Sequence, residues 1–121
     1  MSALYQVKIQ SLGEFASEAL EDNMMILFSD IAPEEVKDYC FIHCHDQLKG
    51  EIKPGNKIKI SDRSFPITAV GDVVNQNLSE LGHITIRFDG EHSAEFPGCV
   101  HVEGSRPDSI VCGDEITFFV N

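Results

Sequence analysis

Short runs in which apolar residues alternate with polar ones recur along almost the whole chain, each closed by a glycine, a proline or an Asp-Gly turn. That rhythm restricts the fold more than any other feature. Residues 4–10 alternate and stop before Gly13, and residues 24–29 are apolar throughout, as a strand covered on both faces would be. Residues 57–60 and 65–70 flank Ser61-Asp62-Arg63-Ser64 as a hairpin. Residues 83–88 run into Asp89-Gly90, residues 99–103 follow Pro97-Gly98, and residues 115–120 end the series. With residues 39–45 this gives seven or eight short strands. Helical signals are confined to residues 15–20, to Pro33-Glu34-Glu35-Val36 with Pro33 at the first helical position, and to residues 75–81 capped by Gly82. The pattern predicts a mainly β barrel or sandwich with one to three short helices, leaving strand order open. Ile52-Lys53-Pro54-Gly55-Asn56-Lys57-Ile58 and Ile110-Val111-Cys112-Gly113-Asp114-Glu115-Ile116 share an outline. Either an internal duplication or two similar turns feeding strands would produce it.

A chain of 121 residues with 42% hydrophobic and 24% charged residues is expected to form one domain over residues 1–121, because a second core would be too small to stand alone. Its formal charge of −11 argues against nucleic acid, whose affinity rests on Lys and Arg displacing counterions, and favours a basic protein partner. The longest apolar run, Met24-Met25-Ile26-Leu27-Phe28, is far short of a bilayer span, and Met1-Ser2-Ala3-Leu4-Tyr5-Gln6 lacks the features of a secretion signal. A soluble cytoplasmic protein with four reduced cysteines is expected.

The densest chemistry lies in Tyr39-Cys40-Phe41-Ile42-His43-Cys44-His45. As a strand it sends Cys40, Ile42 and Cys44 to one face, small enough for a core. Tyr39, Phe41, His43 and His45 go to the other, with Tyr39 and Phe41 as an aromatic rim around a shallow, reachable site. Neutral imidazole is a nucleophile near pH 7, so His43 can accept a phosphoryl group without a metal. Phosphoryl transfer mainly needs in-line positioning and donors for the equatorial oxygens, for which His45, His83 and His101 are candidates. His92, in Glu91-His92-Ser93, is expected to be exposed. A structural role for each strand histidine is the competing reading. A zinc site drawn from Cys40, His43, Cys44 and His45 is another, opposed by the alternation that separates Cys44 from the histidines. A Cys44 or Cys40 nucleophile suffers from the same divergence. No phosphate-cradling glycine loop occurs, so ATP is not the expected donor and no cofactor is expected.

The run at 39–45, with Leu48-Lys49-Gly50, Pro66-Ile67-Thr68-Ala69-Val70-Gly71, Asn77-Leu78, the block 80–90, Ala94-Glu95-Phe96-Pro97-Gly98 and Val100-His101-Val102, resembles one family along nearly the whole chain. It is the glucitol/sorbitol-specific IIA component of the bacterial phosphoenolpyruvate-dependent sugar phosphotransferase system. The resemblance implies a mainly β cytoplasmic phosphocarrier. In it the histidine matching His43 takes a phosphoryl group from phospho-HPr, on Nε2, and passes it to a cysteine of the membrane-associated IIB/IIC glucitol components. It assigns no role to His45, His83, His101, Cys99, Cys112 or His92. A homodimer and the choice of hexitol stay open. The alternative is a non-catalytic regulatory or zinc-binding β domain using Cys40, His43 and His45.

Overall fold

A computed structural model describes residues 2–94 and 96–120. Glu95, part of one matching block, lies outside them. In chain order the elements are β1 (Ser2–Leu12), α1 (Ala16–Glu21), β2 (Met24–Ser29), α2 (Glu34–Lys37), β3 (Phe41–His43), β4 (Lys57–Ile60), β5 (Arg63–Val70), α3 (Val74–Leu81), β6 (Ile84–Arg87), β7 (Cys99–Val102) and β8 (Glu115–Val120). The strands close into a barrel in the order β1-β3-β2-β6-β7-β5-β4-β8. Of the two architectures expected, the barrel is the one found, and closure removes the free edges an open sheet would present. The pairs β2–β3 and β6–β7 are parallel, and the other neighbours run antiparallel.

The barrel interior is filled by Tyr5, Phe41, Phe65 and Phe118 among aliphatic side chains. A smaller cluster of Phe28, Ala32, Cys40 and Ile42 lies on the other face of β2 and β3, packed against Ile26, Val36 of α2 and Leu81 of α3. Both faces of β3 and of the Leu27–Ser29 end of β2 are therefore covered, while Met24 and Ile26 are half-buried on the outer face, and so 24–29 reads as a continuous apolar run. Pro33 is the N-cap of α2 and not its first helical residue. The strand expected over 39–45 shrinks to three residues: the amides of Tyr39 and Cys40 still bond back to the Val36 and Lys37 carbonyls at the end of α2, and His45 adopts a left-handed backbone, φ 68°, that no ladder continues.

The shared outline at 52–58 and 110–116 reflects a true internal correspondence. Gly55 donates its N–H to the carbonyl of Ile67 at 2.9 Å, and Gly113 donates to that of Ile9 at 2.8 Å. The amide of Lys53 is bonded to Oδ1 of Asn56 and that of Val111 to Oδ2 of Asp114, both at 2.8 Å. Gly13 and Gly71 donate to Cys40 and Cys99 carbonyls, both at 2.9 Å. Matching β1-α1-β2-β3-β4 to β5-α3-β6-β7-β8 leaves the cyclic strand order unchanged. The barrel is thus two similar halves whose last strands cross-pair, β4 with β5 and β8 with β1. Only the first half places a histidine, His43, at the inward end of its third strand. The matching position of the second half is Val102.

Candidate active site

The side chain of His43 is enclosed by residues from four separate segments. It points into the barrel end from β3, opposite its β2 partner Ser29, with the Tyr5 ring set edge-on at 6.0 Å and 88°. Its Nε2–H donates to the carbonyl of Gly82 at 2.7 Å, and its Nδ1 accepts the amide N–H of His45 at 3.0 Å. A carbonyl can only accept and an amide N–H only donates, so these partners fix a neutral ring with the proton on Nε2. Burial is the largest influence on its pKa and pushes it below the usual 6.5. The charge of His45 acts the same way, while the Gly82 carbonyl and Asp30 oppose it.

The expected reachable ring is not what the fold provides, since the exposure of His43 is 0%. The seal is thin, however. One part is the turn that ends α3: Gly82 sits at φ 64°, bonded through its N–H to Leu78, and a Cβ built on it would lie 2.7 Å from Cε1 and 3.1 Å from Nε2 of His43. The Oγ–H of Ser29 anchors the same turn by donating to the carbonyl of Leu81 at 2.7 Å. The other part is His45, whose ring is clamped between the Tyr5 hydroxyl, which donates to Nδ1, and the carbonyl of Ser79, which accepts from Nε2 at 3.2 Å. Ser79 and Glu80 are exposed and His45 half-buried.

Two consequences can be measured. Gly82→Ala adds left-handed strain to an overpacked contact with the ring, so it should cost about 2–4 kcal/mol and lower Tm by roughly 10 °C. A melting curve unchanged from wild type would show that the turn is not tight against His43. In ¹⁵N NMR spectra, His43 should show a protonated Nε2 and an unprotonated Nδ1 and stay neutral while an exposed histidine titrates. Because its folded pKa is lowered, its contribution to stability is intact above about 6.5 and is lost as the pH falls from there through the folded value.

A profile of the family described as PTS system glucitol/sorbitol-specific IIA component matches residues 4–117. The chain belongs to that family. It is 48% identical over 118 residues to the PTS system glucitol/sorbitol-specific EIIA component of Shigella flexneri, covering 98% of this chain and 96% of the relative. The protein of the same name from Escherichia coli (strain K12) matches equally. The fold of this chain resembles the crystal structure of the PTS System IIA Component from Enterococcus faecalis V583, with a TM-score of 0.80 and 24% identity over 95% of this chain and 99% of that one. As a IIA component it is a phosphocarrier protein of the sugar phosphotransferase system, and so a phosphotransferase in the broad sense. No helix among the described residues is long and apolar enough to cross a membrane.

The histidines expected to support His43 in this IIA chain are distributed differently. His45 does reach it, but through its backbone amide, while its own ring is held by Tyr5 and Ser79. His83 lies on the outer face of the wall, stacked on Phe28 at 4.2 Å, with Nδ1–H donating to the Leu27 carbonyl at 2.9 Å. His101 is buried against Asp89, Nδ1 to Oδ1 at 2.8 Å, on β7, three strand spacings or about 14 Å around the wall from β3. Burial alone would raise the carboxyl of Asp89. The His101 hydrogen bond, the Glu91 amide and the charges of His101 and Arg87 instead hold it below the usual range. Neither His83 nor His101 is placed to donate to a phosphoryl group on His43. His92 is exposed.

The aromatic rim is also revised. Phe41 has no exposure and belongs to the interior core, while Tyr39 is half exposed and stacks on Phe15 at 5.5 Å. Alternation does separate Cys40 and Ile42 from Phe41 and His43, but the interior of the closed barrel lies on the aromatic side. Cys44, expected to be buried with Cys40, is exposed because the strand has already ended. Cys40 donates its S–H to the Val36 carbonyl at 3.3 Å, and burial pushes its thiol up to about 11. A protonated thiol on the outer face cannot share a metal or a proton with His43 inside. No cluster of three metal-ligating side chains occurs among the described residues.

The site residues that sequence reasoning missed are Tyr5, Ser29 and Gly82. Each stands at least 14 positions from His43 in the chain, so only the barrel closure brings them to it. Burial raises the Tyr5 phenol far above its usual value, so it remains a neutral hydrogen-bond donor.

Proposed function

We propose that His43 accepts a phosphoryl group from the phosphohistidine of HPr and passes it to a cysteine of the membrane-associated IIB/IIC glucitol components, in the cytoplasm. Membership of the glucitol/sorbitol IIA family carries this reading. A neutral ring with backbone partners on both nitrogens supports it. In the first step the P–N bond to the donor's histidine breaks as one to His43 forms. In the second that bond breaks as a P–S bond forms on the acceptor.

Transfer requires the cover to open. The reacting nitrogen must present a lone pair to an incoming phosphorus, and in the closed form Nδ1 holds it beneath the His45 amide. Reaction at Nε2, the atom the family resemblance implies, needs three changes together. The Gly82 carbonyl must leave, and the proton must move to Nδ1, from which the His45 amide must withdraw. The end turn of α3 and the left-handed residue at 45 are local, partly exposed elements, the kind that opens at low free energy. Closing again would shield the phosphohistidine from water.

Charge distribution supports a basic donor. Residues 14–39 hold eight acidic side chains and one lysine, and on this segment Phe15 and Tyr39 form an exposed aromatic pair. Encounter with a basic partner should therefore slow as salt rises. Incubation with phosphoenolpyruvate, enzyme I and HPr tests the reading. The chain should gain about one equivalent of an acid-labile, alkali-stable phosphoryl group and donate it to the IIB component. Absence of such a group with an active relay would refute it.

A further inference from the structure

Outside the barrel, a groove of about 230 Å³ runs between α3, the outer face of β2 and β6, and the segment at 96–99. Met24, Ile26 and Phe96 supply apolar lining, and Arg87, Asn77, Thr85 and His83 supply side chains that can donate hydrogen bonds. Arg87 reaches it from β6 with its guanidinium 5.7 Å from the centre of the Phe96 ring. The Nε–H of Arg87 is buried and, among the described residues, the one buried side-chain nitrogen or oxygen without a hydrogen-bond partner. A buried, charged donor left unpaired costs free energy, which a ligand would recover once a shift of the Arg87 side chain turns Nε–H toward the groove. Asn77, Thr85 and His83 line the same groove. With Nδ1 of His83 committed to the Leu27 carbonyl, its Nε2 is the ring's remaining polar atom, able to hydrogen-bond a phosphate oxygen.

We propose that this groove is a binding site for a phosphate group, with Arg87 as its principal ligand. A planar guanidinium beside hydroxyl and amide groups suits phosphate oxygens, and the apolar lining gives room for a short carbon chain. The group can come from free phosphate or from a small phosphate monoester. The monoester that fits the proposed pathway is the hexitol phosphate that uptake produces, and this part alone rests on the proposed function. Asp89, close enough for its charge to be felt by Arg87, and the acidic surface limit the affinity.

Titrating the ¹⁵N-labelled full chain at fixed ionic strength with inorganic phosphate and, separately, with glucitol 6-phosphate tests the site. Saturable shifts are expected at residues 84–87 and at the Asn77 side chain, and Arg87→Gln should weaken binding roughly tenfold or more. Arg87→Lys, which keeps the charge but lacks Nε–H, should also bind more weakly, and it carries the test if the glutamine variant does not fold. Tighter binding of the ester than of phosphate identifies the monoester as ligand, and equal affinities identify free phosphate. No saturation, shifts confined to other residues, or unchanged binding by a folded Arg87 variant would overturn the proposal. Binding should persist in His43→Gln, which keeps both backbone partners of the ring, so failure of the phosphocarrier reading and failure of this site are separable.

Discussion

His43→Gln is expected to fold and to take no phosphoryl group from phospho-HPr, a loss of at least about 10³-fold in labelling, because the amide offers no nucleophilic nitrogen. Glutamine is the informative choice. Its side-chain N–H can replace the donor to the Gly82 carbonyl and its oxygen can accept from the His45 amide, the two bonds that hold His43 in place. The expected stability loss is then only about 1–2 kcal/mol. Alanine would instead leave both backbone groups unpaired around a cavity, at about 3 kcal/mol or more, and would confuse lost chemistry with lost structure. Labelling of the glutamine variant at the wild-type rate would remove His43 from the chemistry.

The largest effect on the fold is expected from Gly71→Ala. A Cβ there would lie 2.1 Å from the carbonyl oxygen of Pro97 and 2.6 Å from that of Phe96, and backbone cannot rotate aside as a side chain can. The chain must shift, breaking the bonds from Gly71 to Cys99 and from Val73 to Pro97 that tie the start of α3 to β7. A loss of at least about 3 kcal/mol follows. Gly13→Ala should behave alike, since its Cβ would meet the Lys37 carbonyl oxygen at 2.1 Å in the corresponding place of the other half. Gly98→Ala is the control. Its nearest contact, 3.8 Å to Asn77 Nδ2, is ordinary, and it should cost under about 1 kcal/mol. Denaturant unfolding of the three variants measures this. Equal stabilities would contradict the close approach of the loops.

Sequence reading succeeded where local chemistry decides. Residues 24–29, 57–60 and 115–120 matched strands to the residue, and Gly82 capped α3 as expected. The density of imidazoles and thiols at 39–45 singled out His43 and His45 as candidates, and the fold brings the backbone amide of His45 onto the His43 ring. Closure of the barrel determined the rest. It made the aromatic side of β3 the interior, so Phe41 went to the core and His43 under a cover. It also split His83 and His101 from His43, because His83, just before β6, and the outward His101 of β7 lie on the far side of the wall. The correspondence of the two halves was visible only as an outline at 52–58 and 110–116, because they share backbone bonds and turn residues more than side chains.

The central claim is that the covered ring at position 43 is the atom group that carries phosphate between proteins. Locating the phosphoryl group in the wild-type chain after a single exposure to phospho-HPr, by mass spectrometry of peptides kept above neutral pH, tests it most directly. The account predicts one phosphoryl group, on His43. Its appearance on His45, His83 or His101 with His43 unmodified would contradict it.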